Sequence, residues 1–170
     1  MAKIYAVVGA PRTGKTTLLT ELKKKGYESI SECVEEAKIK LSTQKENKMD
    51  FDLMVFELRK EQLEKAKLNG GIIFSDRGLG DTIAYLMFNG FFVPNNVLEY
   101  AHKKIYEKVF VLEPLGFYEQ TSLRQFPKEH QDEMQALIIK VYRDLGYDVV
   151  IIPAVSVEER VKLVESLVNE

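Results

Sequence analysis

Residues 4–16 read IYAVVGAPRTGKT, and the class of fold follows from them. The stretch begins with a continuous apolar run, Ile4 to Val8, which is typical of a strand buried on both faces of a sheet. The next residues match the pattern G-x-x-x-x-G-K-[ST] through Gly9, Gly14, Lys15 and Thr16. Helix-favouring residues then continue to Gly26. A strand, a glycine-rich loop and a helix in this order predict a P-loop that binds the phosphates of a nucleotide.

The chemistry of this loop follows from its residue types. Glycines permit unusual backbone angles, so that successive N–H groups point inward and form an anion site at a helix N-terminus. We expect Lys15 to contact the β- and γ-phosphates and the Thr16 hydroxyl to ligate Mg2+. Arg12 is equally consistent with a phosphate contact and with a solvated arginine. The complete set expected to contact the nucleotide in this loop is Gly9, Arg12, Thr13, Gly14, Lys15, Thr16 and Thr17.

Four further strands are predicted after the P-loop, each separated from the next by segments of helical composition. The strands are 27–31, 71–75, 108–112 and 148–152, and the helical segments are 33–47, 50–69, 79–89, 95–105, 128–145 and the chain from about 156. Strands separated by helices cannot pair as hairpins. We therefore predict an α/β fold of the P-loop NTPase type, a three-layer sandwich with a five-stranded parallel sheet.

Acidic residues at the predicted strand ends are candidates for metal binding and proton transfer. Asp76 follows the strand 71–75, and a P-loop needs an aspartate at such a position to complete the Mg2+ shell. Its neighbour Arg77 could bind a transferred phosphate or pair with an acid. Glu32 follows the second strand and could orient or deprotonate an acceptor hydroxyl, although Glu35 and Glu36 compete for this role. Acids that open a helix also favour its dipole, so a structural role stays open.

Two segments near the carboxyl edge of the sheet are candidates for a lid and a base site. The irregular stretch 115–128 contains Arg124, which would stabilise transition-state charge if the segment closed over the phosphates. An exposed loop arginine without such a role is the alternative. After the fifth strand, the backbone at Ala154 and Val155 would lie beside the P-loop helix, where a nucleobase could rest.

Composition and charge limit the classes of protein to which this chain can belong. Its 170 residues, 45% of them hydrophobic, can bury one sizeable core, so we expect a single domain over 1–170. A net charge of −2 gives no global basic field, so nucleic acid is not indicated as a partner. The lone cysteine, Cys33, excludes an intrachain disulfide. With no signal-peptide pattern and no bilayer-spanning stretch, we expect a cytoplasmic protein.

Five blocks, which run along nearly the whole chain, together resemble an AAA-like P-loop ATPase/kinase family that includes the ribosylnicotinamide kinase domain of NadR-type proteins. The blocks are GAPRTGKTTL at 9–18, KKGYESISECVEEA at 24–37, FSDRGLGDTIAY at 74–85, KVFVLEPLGFYEQ at 108–120 with Arg124, and IIPAVSVEER at 151–160. The resemblance implies a sheet of the nucleoside/nucleotide-kinase type, in which the strand carrying Asp76 lies beside the P-loop strand. It also implies a lid around Arg124 and a nucleobase site near Ala154 and Val155.

The chain departs from that family after the second strand. Family members often carry Glu-x-x-Arg there, whereas Glu32 is followed here by Cys33, Val34 and Glu35. Any function of the family's arginine, including binding of a substrate phosphate, is therefore in doubt for this chain.

The leading hypothesis is a Mg2+-dependent phosphotransferase that moves the γ-phosphate of ATP or GTP to a small acceptor such as a nucleoside. Lys15, Thr16 and Asp76 would hold the nucleotide and metal. Glu32 would act on the acceptor, and Arg124 would close over the phosphates. The alternatives are a nucleoside triphosphatase and a nucleotide-dependent switch with weak turnover. The absence of a well-placed Asn-Lys-x-Asp motif favours adenine over guanine, and the sequence does not indicate an oligomeric state.

Overall fold

Helices and strands alternate along the part of the chain that the structure, a computed structural model, describes: residues 1–42, 47–116 and 127–170. The elements are β1 (Lys3–Val8), α1 (Lys15–Lys24), β2 (Glu28–Ile30), α2 (Val34–Leu41), α3 (Lys48–Lys67), β3 (Ile72–Asp76), α4 (Leu79–Phe88), α5 (Asn95–Ala101), β4 (Val109–Leu112), α6 (Lys128–Asp144), β5 (Val149–Ile152) and α7 (Val157–Val168). Every predicted strand is present, with each end within one residue of its predicted position.

The strands form one parallel sheet in the order β2-β3-β1-β4-β5. β1 lies at its centre, where Val7 pairs with Asp76 of β3 and Val8 pairs with Val111 of β4. The predicted α/β fold with a five-stranded parallel sheet is confirmed. Because parallel strands end at the same edge, the loops that follow β1, β3, β4 and β5 meet there.

Alternating side chains of β1 pack on opposite faces of the sheet. Ile4, Ala6 and Val8 belong to a core formed with α3, α4 and α6, whereas Tyr5 and Val7 pack with α1 and α7 on the other face. This explains the continuous apolar run in the sequence, because a strand covered on both faces has no solvent-facing side. The helices on the two faces and the sheet between them make the three predicted layers.

The helix predicted over 95–105 ends four residues early, at Ala101. Lys104 adopts φ 51°, in the left-handed region, which a helix cannot include. Tyr147 fixes this turn, since its hydroxyl donates to the Ala101 carbonyl at 2.8 Å and accepts from the Ile105 amide at 3.2 Å. A contact from the distant turn between α6 and β5 therefore holds the chain where α5 stops.

Cys33, the lone cysteine, is buried at the N-cap of α2 as a free thiol. Its sulfur lies 3.2 Å from Gln62 Oε1, and burial raises the pKa of the thiol. In the described residues, every helix is too short or too polar to cross a bilayer.

Candidate functional site

The loop between β1 and α1 has a backbone that its two motif glycines make possible. Gly9 has φ 147°, and a Cβ there would lie 2.8 Å from Thr13 Oγ1 and 3.0 Å from the Leu112 carbonyl oxygen. Gly14 has φ 88°, in the left-handed region that favours glycine. Arg12 also lies in this region, with φ 65°. The loop therefore holds a tight curve that side chains at positions 9 and 14 would obstruct or strain.

Lys15 is held inside this loop by the carbonyl oxygens of the loop itself. Its ammonium donates to Gly9 at 3.0 Å and to Ala10 at 2.8 Å, and it lies 3.4 Å from Thr13 Oγ1. The lysine is 7% exposed and Thr13 is fully buried. The ammonium is thus already at the centre of the loop, where a phosphate oxygen could replace a carbonyl as its acceptor.

Burial, and after it the positive charge of Arg77, lower the pKa of Lys15 to about 8. Three carboxylates oppose this shift: Asp81, Asp76 and Glu32. Because the pKa stays above 7, the ammonium is mainly protonated at neutral pH. These acids and Arg77 are therefore close enough to the P-loop lysine to shift its pKa. For Asp76 and Glu32, this proximity was expected from their positions at the ends of strands.

The first turn of α1 presents its amide groups without a side-chain cap. Its N-cap is Gly14, and the first helical bond runs from the Leu18 amide to the Gly14 carbonyl at 3.1 Å. Thr16 and Thr17, both expected at the nucleotide, are exposed in this turn. The unpaired amides and the positive end of the helix dipole are suited to binding an anion.

Asp76 ends β3 directly beside the P-loop strand. The next residue, Arg77, adopts φ 66°, and its amide donates to the Val7 carbonyl at 2.9 Å. A left-handed arginine is strained, and its surroundings must hold it in place. Burial raises the pKa of Asp76, as does the charge of Glu32, while Arg77 and Lys15 lower it.

Among the acids that follow β2, Glu32 meets the Asp76–Arg77 segment. Its Oε2 accepts from Arg77 Nε at 2.9 Å, and Arg77 Nη1 donates to the Tyr85 hydroxyl at 3.3 Å. Glu35 and Glu36 instead pair with lysines along α2 itself. Of the two options for Arg77, the structure shows the pairing with an acid.

Arg160, which was not predicted from the sequence as a site residue, joins three loops of the site. It is 3% exposed and donates to the carbonyl oxygens of Thr13 at 2.5 Å, Glu113 at 2.7 Å and Pro153 at 2.9 Å. The sequence contains a signal for a buried arginine, because Arg160 falls on the same helical face as the buried valines of α7. A charged residue on an apolar face needs buried polar partners.

Ala154 and Val155, the expected base site, are exposed on the loop that Arg160 ties to the P-loop. The turn is closed by the Val155 amide, which donates to the Pro153 carbonyl at 2.9 Å. The structure therefore places this loop next to the phosphate loop, as expected.

Two glutamines of α6 were also missed. Gln135 accepts from the Ala10 amide at 2.8 Å and donates to the Leu112 carbonyl at 2.9 Å. Gln131 donates to the Pro11 carbonyl at 2.7 Å. Both are buried, and they fix the first half of the P-loop against α6 and the end of β4.

A pocket of about 230 Å³ opens between α3 and α4, next to Arg77. Its walls are largely apolar and aromatic and include Phe51, Val55 and Tyr85. Arg77 lines the pocket and also binds Glu32, so the pocket adjoins the group of charged residues around the P-loop lysine.

Arg59, which is 2% exposed, also lines this pocket. Its Nη1 lies 3.3 Å from the Ser31 carbonyl and 3.2 Å from Ser75 Oγ, and Ser75 Oγ donates to the Arg77 carbonyl at 2.7 Å. Arg59 thereby anchors α3 to the carboxyl ends of β2 and β3.

Two buried carboxylates line the pocket, one from each helix. Asp81 Oδ2 accepts from the Gly78 amide at 2.9 Å and from the Tyr142 hydroxyl at 2.6 Å. Asp81 Oδ1 and Asp52 Oδ2 have no hydrogen-bond partner, and in residues 1–42, 47–116 and 127–170 they are the buried side-chain atoms that lack one. Burial raises the pKa of Asp52 to about 6, an effect that Lys48 opposes.

Arg124 and residues 117–126 of the expected lid lie outside the described residues. Where that segment begins, the Leu115 side chain comes within 3.6 Å of the Cβ position at Gly14. Lys128, where it was expected to end, is the exposed first residue of α6.

The central P-loop between β1 and α1, in a five-stranded parallel sheet covered on both faces, defines a P-loop NTPase fold. Within this class, the model of the AAA domain family matches residues 4–160, and the chain belongs to that family. A search of curated proteins returned no significant match.

Solved structures with this fold include kinases of nucleosides and nucleotides. Deoxyadenosine kinase from M. mycoides has a TM-score of 0.69 and 20% identity, and the alignment covers 98% of each chain. Thymidylate kinase from Candida albicans has a TM-score of 0.69 and 13% identity over 99% of this chain and 91% of that chain. Thymidylate kinase from Ehrlichia chaffeensis has the same score and identity, with 98% of each chain covered. These likenesses establish the shared fold.

Proposed function

We propose that this protein is a Mg2+-dependent kinase that transfers the γ-phosphate of ATP, or GTP, to a small acceptor such as a nucleoside. The observation that carries the proposal is the pocket between α3 and α4, which adjoins the P-loop site through Arg77 and its partner Glu32. A triphosphatase needs room for a water alone. Pockets for drug-sized ligands begin at about 300 Å³, so a pocket of about 230 Å³ with aromatic walls suits a smaller organic acceptor.

The P-loop residues would hold the triphosphate. Lys15 would exchange its carbonyl acceptors for β- and γ-phosphate oxygens, and the first-turn amides of α1 would bind the same group. The Thr16 hydroxyl and the Asp76 carboxylate are hard oxygen donors, which fits Mg2+ bound by few protein ligands together with phosphate and water. When bound, Mg2+ would neutralise charge on the phosphates.

The remaining roles follow from position. Glu32 is bound to Arg77, a residue that lines the pocket. Its carboxylate would orient or deprotonate the acceptor hydroxyl, and Arg77 would hold that carboxylate in place. We propose Arg124 as the lid cation and the backbone at 154–155 as the base site. We also propose that residues 1–170 act as one domain, in the cytoplasm.

The comparisons support the kinase class of activity. Deoxyadenosine kinase, with which this chain shares its fold, has been solved with dATP and with dCTP bound. The resemblance of five sequence blocks to the ribosylnicotinamide kinase domain of NadR-type proteins makes ribosylnicotinamide the first acceptor to test within the nucleoside class.

The test is transfer of labelled γ-phosphate from ATP or GTP, with Mg2+, to a panel of nucleosides that includes ribosylnicotinamide. We expect transfer to depend on the acceptor and to stop when the metal is chelated. Release of phosphate that no acceptor alters would instead show a triphosphatase. Nucleotide-dependent capture of a partner with negligible turnover would show a switch.

A further inference from the structure

The acceptor pocket contains two carboxylate oxygens that the protein itself does not satisfy. Asp52 Oδ2, from α3, and Asp81 Oδ1, from α4, have no hydrogen-bond partner. Both residues are nine-tenths or more buried, at 9% and 4% exposed. Leaving a buried acceptor unpaired costs roughly 1–3 kcal/mol, and more for a charged group. A ligand that brings donors would remove this cost.

The two ends of the pocket can be assigned from α3. Arg59 contacts Ser31 and Ser75 at the carboxyl ends of β2 and β3, so it marks the end nearest the P-loop. Asp52 precedes Arg59 by seven residues on the same helix, which at 1.5 Å per residue corresponds to about 10 Å. Asp52 therefore lies one small molecule's length from the phosphate end.

The surroundings of Asp52 favour hydrogen bonding to a ring. Phe51 and Tyr85 lie on the pocket wall with it, so a flat ring that enters the pocket meets aromatic surface and a carboxylate together. The charged residue that acts on Asp52 is Lys48, one turn earlier on α3 and exposed. An ionised carboxylate only accepts hydrogen bonds, so it attracts an amino group and repels a carbonyl oxygen at the same place.

We propose that Asp52 determines which acceptors this enzyme takes, by binding a hydrogen-bond donor at the end of the acceptor farthest from the reacting hydroxyl. For a nucleoside this end is the base, so bases with an exocyclic amino group are preferred over bases with a carbonyl there. Asp81, on the opposite wall, accepts a second donor from the same molecule. This inference rests on the proposed function, because it takes the pocket to be the acceptor site.

The test compares nucleosides that differ in this one group: adenosine with inosine, and cytidine with uridine. We expect the amino member of at least one pair to bind at least about tenfold more tightly by calorimetry and to give at least about tenfold higher kcat/KM. Binding is measured without triphosphate. It therefore reports on the pocket whether or not phosphate is transferred.

Asp52→Asn is the informative variant, because asparagine keeps the size of the side chain and can donate to a carbonyl. We expect it to reduce the preference for the amino member to about threefold or less, mainly through KM for the acceptor, and to leave KM for ATP unchanged. Asp50→Asn is the matched control, since Asp50 lies in the same turn of α3 and is exposed. It should retain the wild-type preference.

Failure of this inference is distinct from failure of the proposed function. Equal binding of both members of each pair, preference for the carbonyl members, or no binding of any of the four would overturn the role of Asp52. An Asp52→Asn variant with an unchanged preference would do the same. Absence of transfer to every acceptor overturns the proposed function, while the calorimetric preference still decides the role of Asp52.

Discussion

The phosphate side of the site and the proposed acceptor pocket differ in how their buried polar groups are paired. On the phosphate side, Lys15, Gln135 and Arg160 donate to backbone carbonyls of the loops around them. In the acceptor pocket, Asp52 and Asp81 each keep an oxygen without a partner. A polar group whose hydrogen-bond partner belongs to the protein keeps the loops in the same geometry whichever nucleotide binds. A group left unpaired selects the molecule that can pair with it.

The largest expected effect is the loss of Lys15, which would break the phosphate side at its centre. We expect Lys15→Ala to reduce kcat by at least about 100-fold, because the ammonium would stabilise negative charge on the phosphate during its transfer. The measurement is γ-phosphate transfer at saturating acceptor. Lys23→Ala, an exposed lysine of the same helix, should keep wild-type activity. A Lys15→Ala enzyme with near-normal kcat would show that the loop does not act as a catalytic P-loop.

Gly80→Ala tests how the acceptor pocket is supported. A Cβ at position 80 would lie 2.6 Å from the ring of Tyr142, whose hydroxyl holds Asp81. Alanine normally improves a helix, but here we expect overpacking to lower the free energy of unfolding by about 2 to 3 kcal/mol. Urea denaturation measures this. Gly70→Ala is the control, since nothing lies within 4 Å of that Cβ position. If Gly80→Ala were as stable as Gly70→Ala, the packing of Tyr142 against position 80 would be contradicted.

Arg160→Ala would separate the loops of the phosphate side from one another. Three carbonyls lose a charged donor, and we expect the free energy of unfolding to fall by about 2 kcal/mol. KM for ATP should rise more than kcat falls, because the loop that follows β5 and the P-loop lose their fixed spacing. Arg160→Lys should recover only part of the loss, since one ammonium lacks the planar fork of the guanidinium. If Arg143→Ala, at an exposed site, raised KM equally, the effect would not belong to Arg160.

The smallest expected effect sharpens the description of the acceptor pocket. Burial raises the pKa of Asp52 from 3.8 to about 6, so between these values the folded state binds the proton more tightly than the unfolded state. The free energy of unfolding therefore falls as the pH rises through this interval, and the loss persists above it. Asp52→Asn avoids this loss. We expect it to be about 1 kcal/mol more stable than wild type at pH 7.5 and to have almost no advantage at pH 4.

Urea denaturation from pH 4 to pH 8 measures this difference. The Asp50→Asn control, with an exposed side chain, should show no such dependence on pH. A stability advantage of Asp52→Asn that is the same at every pH would mean that the pKa of Asp52 is the same in the folded and the unfolded state.

The parts of the site that could be predicted are those encoded by neighbours in the sequence. The P-loop pattern itself determines the backbone of the loop. Asp76 follows an apolar run, so its carboxylate lies at the edge of the sheet whichever strand this run pairs with. Glu32 was predicted on the same grounds, although two nearby acids, Glu35 and Glu36, competed for its role. The structure distinguishes them, because Glu32 alone of these three pairs with Arg77.

The parts that could not be predicted depend on which face of a helix turns inward. Gln131 and Gln135 are ordinary helix residues until α6 packs against the P-loop. Asp52 lies in a helix rich in charged residues, where nothing local distinguishes it from the exposed Asp50. Long-range packing decides these assignments, and propensity or spacing along the chain does not contain that information.

The three acceptors of Arg160 are backbone oxygens, and every amino acid has one. These hydrogen bonds therefore constrain the backbone path of the three loops but not the identity of their side chains. Substitutions in the loops after β4 and β5 can reshape the surface that surrounds the nucleotide while the anchor beneath it persists. A protein built in this way can vary its ligand preference by loop mutation, provided that one arginine stays in place.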